Sequence, residues 1–259
     1  MFQYLKFQNH GGIVRISLNR PEVFHALNKV LIAEITQAIG LAQADEQVRV
    51  VLLTAEGDTA FCSGADLKDA FLSKLNVDHT LRDYYNPMIM AIRNIPKPVV
   101  CRLNGLAVGA GASLALSCDL VIASEQAYLS QMFVQIGLMP DAGASFILPR
   151  LVGAARAFEL ASTGRKVPAS EAQQMGMIAQ CVSAELLDST VERQLQYYLH
   201  APTQAIGAMK LVMNQSLSSD LPQMLDLERH YQQKLSETAD FKEGLNSFLQ
   251  KKKPDYQGK

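Results

Sequence analysis

Neither sign of charge prevails in this chain of 259 residues: 24 Lys and Arg stand against 25 Asp and Glu, leaving a formal charge of −1. No global field then draws the protein to nucleic acid or to an anionic membrane. The one dense basic run, 251–253 in "FLQKKKPDYQGK", reads as a solvated C-terminus. Cysteine is scarce as well. Cys62, Cys101, Cys118 and Cys181 are widely spaced, three of them among apolar or small neighbours, which fits neither a disulfide framework nor zinc-ligand spacing. They read as reduced core residues. No apolar run approaches the roughly 20 residues that cross a bilayer. The amino terminus "MFQYLKFQNHGG" lacks the basic-then-apolar layout of a secretory signal, so the expectation is a cytoplasmic protein. Nucleotide fingerprints are missing too. "VGAGAS" lacks the spacing of G-x-G-x-x-G with an acidic ribose partner, and no Lys-Ser/Thr of a P-loop is present.

What is there alternates. Residues 12–19, "GIVRISLN", have strand periodicity, 27–45 an amphipathic helical pattern, and 48–56, "VRVVLLTAE", the near-continuous apolar run of a buried strand. Strand, helix, strand implies a largely parallel sheet. The alternation recurs with helix at 81–95, strand at 98–105, helix at 111–119 and strand at 120–125. The fold class is therefore α/β. From "EAQQMGMIAQCV" onward the chain turns helical, which divides it into an α/β core, 1–195, and a helical C-terminal subdomain, 196–259.

Two glycine-rich turns, "AFCSGADLK" (60–68) and "NGLAVGAGASLAL" (104–116), each follow a buried strand and open a helix. Such turns aim unsatisfied N–H groups at whatever lies above them, although they also serve as plain strand-to-helix connections. Side by side, they could direct two donors at one oxygen. A third stretch, "GLMPDAGAS" (137–145), places Asp141 alone in an apolar neighbourhood before a helical segment. It reads either as an N-cap or as a functional carboxylate.

"RPEVFHALN", "AFCSGADL", "KPVVCRLNGLAVGAGASLALSCDLVIAS" and "QIGLMPDAGASFILPRLVG" resemble the enoyl-CoA hydratase/isomerase (crotonase) superfamily over nearly the whole chain. Within it, "YYNP" (84–87), "GAGASLAL" and the ending "LDLERHYQQ…ADFKEGLNSFLQKKKPDYQGK" are most similar to the bacterial ring 1,2-epoxyphenylacetyl-CoA isomerases of phenylacetate catabolism. The resemblance implies a crotonase-like (ClpP/crotonase) ββα spiral core with a helical C-terminal trimerisation region. It also implies an acyl-CoA substrate, no cofactor beyond the coenzyme A that the substrate carries, no metal, and a homotrimer or dimer of trimers. The thioester carbonyl would be held by the backbone N–H groups of Ala65 and Ala110, with Asp141 as the catalytic carboxylate. Val23, Phe24, Ala26, Ser63, Asp66, Leu67, Lys68, Gly109, Phe133 and Tyr85 would bind the substrate.

The hydratase branch uses two glutamates to activate water, as paired acid/base chemistry requires. Here their positions match Ser113 and Phe133, which disfavours hydration and leaves Asp141 to move a proton. The expected reaction is an enolate-mediated isomerisation, of a ring epoxide of phenylacetyl-CoA or of a 3-enoyl-CoA to its 2-enoyl isomer. Enoyl-CoA hydration and aryl-CoA dehalogenation are alternatives. RNA binding, known among crotonase relatives, is disfavoured by the charge balance. Asp66 and Asp119 read as turn and helix-end hydrogen-bonding residues, and Tyr84, Tyr85 and Asn86 as a helix face that packs or lines a pocket. Ser113 has no His and Asp around it to make it a nucleophile. His25 lies where the family binds the adenine through backbone groups, and His10, His79, His200 and His230 have no partner pattern.

Overall fold

The computed structural model describes residues 2–68, 76–216 and 218–259. Every residue of β3 (Val50–Ala55) is buried, and its alternating side chains enter two separate cores. It lies third in a six-stranded sheet of order β1 (Leu5–His10), β2 (Ile13–Leu18), β3, β5 (Val99–Leu103), β7 (Leu120–Ser124) and β10 (Gln180–Val182). All neighbours are parallel except the β1–β2 hairpin. A smaller sheet contains β4 (Ala60–Cys62), β6 (Leu106–Val108), β8 (Tyr128–Ser130) and β9 (Val167–Pro168).

The chain passes between the sheets in a repeating step: a strand in the larger sheet, a short strand in the smaller, then a helical segment. β3, β4 and the helix α2 (Asn86–Asn94) make one step, and β5, β6 and α3 (Ala110–Ser117) the next. β7, β8 and a 3₁₀ turn, Met132–Ile136, make the third. This is the ββα spiral that the resemblance implies. Gly105 makes one of its corners. A Cβ there would stand 2.3 Å from the Thr59 carbonyl, so only glycine lets the chain leave β5 at Leu103 and re-enter the other sheet at Leu106. The strand expected over 98–105 is β5, and a second strand, β6, begins just beyond it in the other sheet.

One core fills the space between the inner face of the larger sheet, α1 (Lys29–Ala44), α2 and α3. The second is made by Val50, Leu52, Val100 and Ile122 on the outer face, covered by Leu187, Val191 and Leu195 of α7 (Ala184–Leu199). Residue 196, where the composition becomes helical, thus falls inside the helix that closes this face. Before α2 the ladder widens into a π turn, Leu81–Tyr85. Pro87 has no N–H to donate to the preceding turn, which accounts for the irregularity within the helix expected over 81–95.

Helices α4 (Ala144–Val152), α5 (Ala154–Thr163) and α6 (Ala169–Gln174) follow the third step. The C-terminal part continues through α8 (Thr203–Gln215), α9 (Leu221–Ser236) and α10 (Ala239–Leu249). The tail then folds back: the Asp240 carboxylate accepts from the backbone N–H groups of Gln257 at 2.7 Å and Gly258 at 2.8 Å. Cys62, Cys101 and Cys118 are buried free thiols and Cys181 is half-buried and free, as expected of reduced residues.

Candidate active site

The two glycine-rich turns meet. Gly64, at φ +96°, occupies backbone space closed to other residues, and a Cβ on it would lie 2.7 Å from the Val108 carbonyl and 3.6 Å from the Ala110 nitrogen. The first turn of α3 sits equally close on β4, for a Cβ at Gly111 would stand 2.3 Å from the Cys62 carbonyl oxygen. Ala65 forms a parallel bridge with Leu27 in which Leu27 N–H donates to the Gly64 carbonyl and Asp66 N–H to the Leu27 carbonyl. The N–H of Ala65 itself therefore points away from that bridge. Ala110 is the first residue of α3, where an N–H has no intrahelical acceptor. Among the described residues neither N–H is taken by a backbone carbonyl. Both residues line a cavity of about 320 Å³.

Asp141 lines the same cavity, with Phe133, Met132, Ile136, Leu138, Leu81 and Ile32 as its apolar wall. One carboxylate oxygen, Oδ1, is buried and has no hydrogen-bond partner among the described residues. Loss of hydration alone, with no neighbouring cation to offset it, raises the Asp141 pKa to about 6. The capping explanation fails. α4 begins only at Ala144, its cap residue is Gly143 at φ +81°, and no side chain caps it. Ala142, at φ +49°, turns the chain between Asp141 and that cap, and none of the helix's first N–H groups donates to the Asp141 carboxylate. A non-glycine residue held in the left-handed region costs energy and persists only where its surroundings impose it.

Other expected site residues divide. Ser63, Asp66, Leu67, Gly109, Phe133 and Tyr85 line the cavity with Ala65, Ala110 and Asp141. The Phe133 ring lies against the Gly109 turn, its Cζ 3.8 Å from where a Cβ on Gly109 would be. Val23, Phe24 and Ala26 do not line it. They form the turn that braces the Ala65 segment, the Phe24 carbonyl accepting from Ser63 N–H at 2.9 Å and the Val23 carbonyl from Ser63 Oγ at 3.1 Å. Lys68 is exposed beyond the cavity wall. Asp66 is ion-paired with Arg20 at 3.0 Å, which anchors this turn. His25 is buried and neutral. Its Nδ1 accepts from Arg20 N–H at 3.0 Å, which leaves Nε2–H to donate to the Glu56 carbonyl, and burial lowers its pKa. Asp119 pairs with Lys210 at 2.7 Å and accepts from Val99 N–H at 2.8 Å, a structural role remote from the cavity.

The wall residues Ile136 and Leu138 were not singled out from sequence. They come from a 3₁₀ turn and its exit loop, whose apolar content looks like ordinary core, and no periodic signal marks them. Larger hollows exist elsewhere. One of about 620 Å³ is a groove with Arg15, Arg102, Asp58 and Asp188, and one of about 490 Å³ lies among α8, α9 and α10. Neither combines an unpartnered buried carboxylate with free N–H donors, so chemistry and not size selects the smaller cavity. Among the described residues no group of three or more His, Cys, Asp or Glu could hold a metal ion. No described helix is long and apolar enough to cross a membrane.

A family model for enoyl-CoA hydratase/isomerase matches residues 8–259. A probable enoyl-CoA hydratase of Rhodobacter capsulatus is 40% identical over 100% of this chain and 99% of its own length. The 1,2-epoxyphenylacetyl-CoA isomerase of Escherichia coli is 36% identical over 100% of both chains. A trans-2-decenoyl-[acyl-carrier-protein] isomerase of Streptococcus mutans is 32% identical over 100% of this chain and 99% of its own. Among solved structures, an enoyl-CoA hydratase from Bacillus anthracis superposes with a TM-score of 0.93 at 31% identity, covering 99% of this chain and 100% of that one.

Proposed function

The chain belongs to the enoyl-CoA hydratase/isomerase family, and from that premise we propose that it is an acyl-CoA isomerase in which Asp141 carries a proton between two carbons of the acyl group. The thioester carbonyl accepts hydrogen bonds from the Ala65 and Ala110 N–H groups. Asp141 removes a proton from the carbon next to that carbonyl, and the C–H electron pair flows into the thioester as an enolate. Two fixed donors aimed at the developing oxyanion lower this barrier by several kcal/mol. The proton then returns from the Asp141 carboxyl to a carbon further along the chain or ring, and no atom is gained or lost. A 3-enoyl-CoA would become its 2-enoyl isomer; in a ring 1,2-epoxyphenylacetyl-CoA the carbon–carbon bond shared by the epoxide and the six-membered ring also opens, its electron pair joining the ring π system, to give an oxepin of the same composition.

The observation that carries this reading is the lone, desolvated, unpartnered carboxylate of Asp141 in an apolar cavity beside two free N–H groups. Such a group is tuned to accept and return a proton near neutrality. Hydration, suggested by the names of several relatives, requires a second acid or base to hold water; Ser113 and Phe133 stand where that pair would be, and Asp66 is engaged by Arg20. The test is a panel of acyl-CoA thioesters, namely 3-enoyl, 2-enoyl, ring-epoxide and 4-halobenzoyl, analysed by mass spectrometry. Unchanged mass with altered chromatography is expected. Addition of one water, or loss of halide, would assign the hydratase or the dehalogenase instead.

The proposal extends to assembly and location. α9 is 16 residues long and has no buried residue in the isolated chain, while Leu225, Phe241, Leu245 and Phe248 present apolar side chains nearby, Phe248 at 81% exposure. Faces of this kind are covered by partners, which supports a homotrimer or dimer of trimers. The enzyme would work in the cytoplasm without a cofactor of its own, the coenzyme A arriving on the substrate.

A further inference from the structure

Ser113 is completely buried in α3, three residues beyond Ala110, and is not among the residues that line the cavity. Its Oγ lies 3.1 Å from the backbone carbonyl oxygen of Asp141 and 3.3 Å from that of Gly109. The Gly109 carbonyl already receives the Ser113 N–H at 3.1 Å, as the helix requires. The shorter contact therefore ties α3, the helix that presents the Ala110 donor, to the loop that presents the carboxylate. This loop needs a tie, because the next residue, Ala142, is held at φ +49° and Gly143 follows at φ +81°.

We infer that Ser113 is a positioning residue, whose hydroxyl fixes the Asp141 carboxylate relative to the Ala110 donor by holding the Asp141 carbonyl. The inference rests on the reading of Asp141 as the proton carrier. It gives a purpose to the serine where a hydratase would place a glutamate: the position reaches the same reaction centre through a backbone carbonyl. A misplacement of about 1 Å between proton carrier and substrate can cost about a hundredfold in rate. Yet removing the hydroxyl orphans no carbonyl, because the Asp141 carbonyl also accepts from Ala144 N–H at 3.0 Å. A catalytic loss larger than the stability loss is the mark of positioning.

The experiment compares Ser113→Ala, Ser113→Thr and Asp141→Asn with the wild type, on whichever substrate of the panel the wild type isomerises. For Ser113→Ala we expect kcat to fall about tenfold or more, KM to stay within about twofold, and the thermal midpoint to move little. The midpoint of the kcat–pH profile should fall as the loosened carboxylate regains water; the other titratable groups on the cavity wall, Lys29, Asp66 and Tyr85, are unchanged in this variant. Ser113→Thr keeps the hydroxyl and should restore most of kcat; if its extra methyl lowers the thermal midpoint, the alanine variant alone decides. Wild-type kcat and pH profile in Ser113→Ala overturn the inference, and so does a kcat loss with an unmoved profile. Activity in Asp141→Asn would instead overturn the reading of Asp141, so the two failures are distinguishable.

Discussion

Asp141→Asn should stabilise the protein while destroying its activity. Burial raises the Asp141 pKa from 3.8 to about 6. A carboxyl that binds its proton more tightly when folded contributes stability that is full below its unfolded pKa and is lost as pH rises from about 4 through about 6. At pH 7 the ionised group is therefore a liability. The difference of about two pH units, at about 1.4 kcal/mol each, amounts to about 3 kcal/mol; since the carboxyl is only partly buried, solvent screening reduces this to about 1.5 kcal/mol. Asparagine mimics the protonated form and removes the liability. At pH 7.5 the variant should melt about 4 °C above wild type, by about 2–4 °C per kcal/mol for a chain of this length, and at pH 4 the two should coincide. Thermal melts across that range at fixed protein concentration, with isomerase activity measured alongside, make the assay. Activity should fall by about 10³-fold, the scale of a lost general base. A variant that is less stable at pH 7.5, or whose difference from wild type does not change with pH, would refute the claim that this carboxylate is held desolvated for use.

The wild-type kcat/KM should rise with pH to a plateau with a midpoint of about 6, because only the ionised Asp141 can take the proton; a flat profile between pH 5 and 8 counts against it. Crotonyl-CoA should be hydrated at less than about 1% of the isomerisation rate, since the site has one proton carrier and not two; comparable turnover would demand another water-activating pair. Gly111→Ala would drive a methyl to within 2.3 Å of the Cys62 carbonyl and separate α3 from β4, costing about 3 kcal/mol of stability together with activity; a fully stable, active variant would contradict the close approach of the two turns. Light scattering of the pure protein at micromolar concentration should return a trimer or hexamer, and truncation after residue 235 should abolish both assembly and activity; an active monomer would rule the assembly out.

The inner strands of the larger sheet were legible because they are nearly unbroken apolar runs, as in β3 and β5, and α1 because its apolar positions recur at helical spacing; β10, three half-buried residues at the sheet's far edge, fell in a stretch read as helical. β1 was missed: an edge strand that buries only Leu5 and reads "LKFQNH" has too little apolar pattern to announce itself. β4, β6 and β8 were missed for another reason, since three residues are too few to establish a period. At the site, the turns around Gly64 and Gly109 were visible as glycine-rich text, but their mutual contact is a property of two sheets meeting. Local sequence allowed Asp141 to be a helix cap. What removes that option is the left-handed turn at Ala142 and Gly143, which postpones the helix to Ala144. The bond from Ser113 to Asp141 joins residues 28 apart, a separation at which no local pattern operates.

The central claim is that Asp141 moves a proton within a coenzyme A thioester. It is tested most directly by incubating wild type and Asp141→Asn with 3-enoyl-CoA and ring-epoxide substrates in deuterium oxide and following the products by mass spectrometry. The account predicts that the wild type yields an isomer carrying at most solvent deuterium at the carbons adjoining the enolate, with no added water, and that Asp141→Asn yields neither isomer nor exchange. A hydrated product from the wild type, or isomerisation by Asp141→Asn at an undiminished rate, would contradict it.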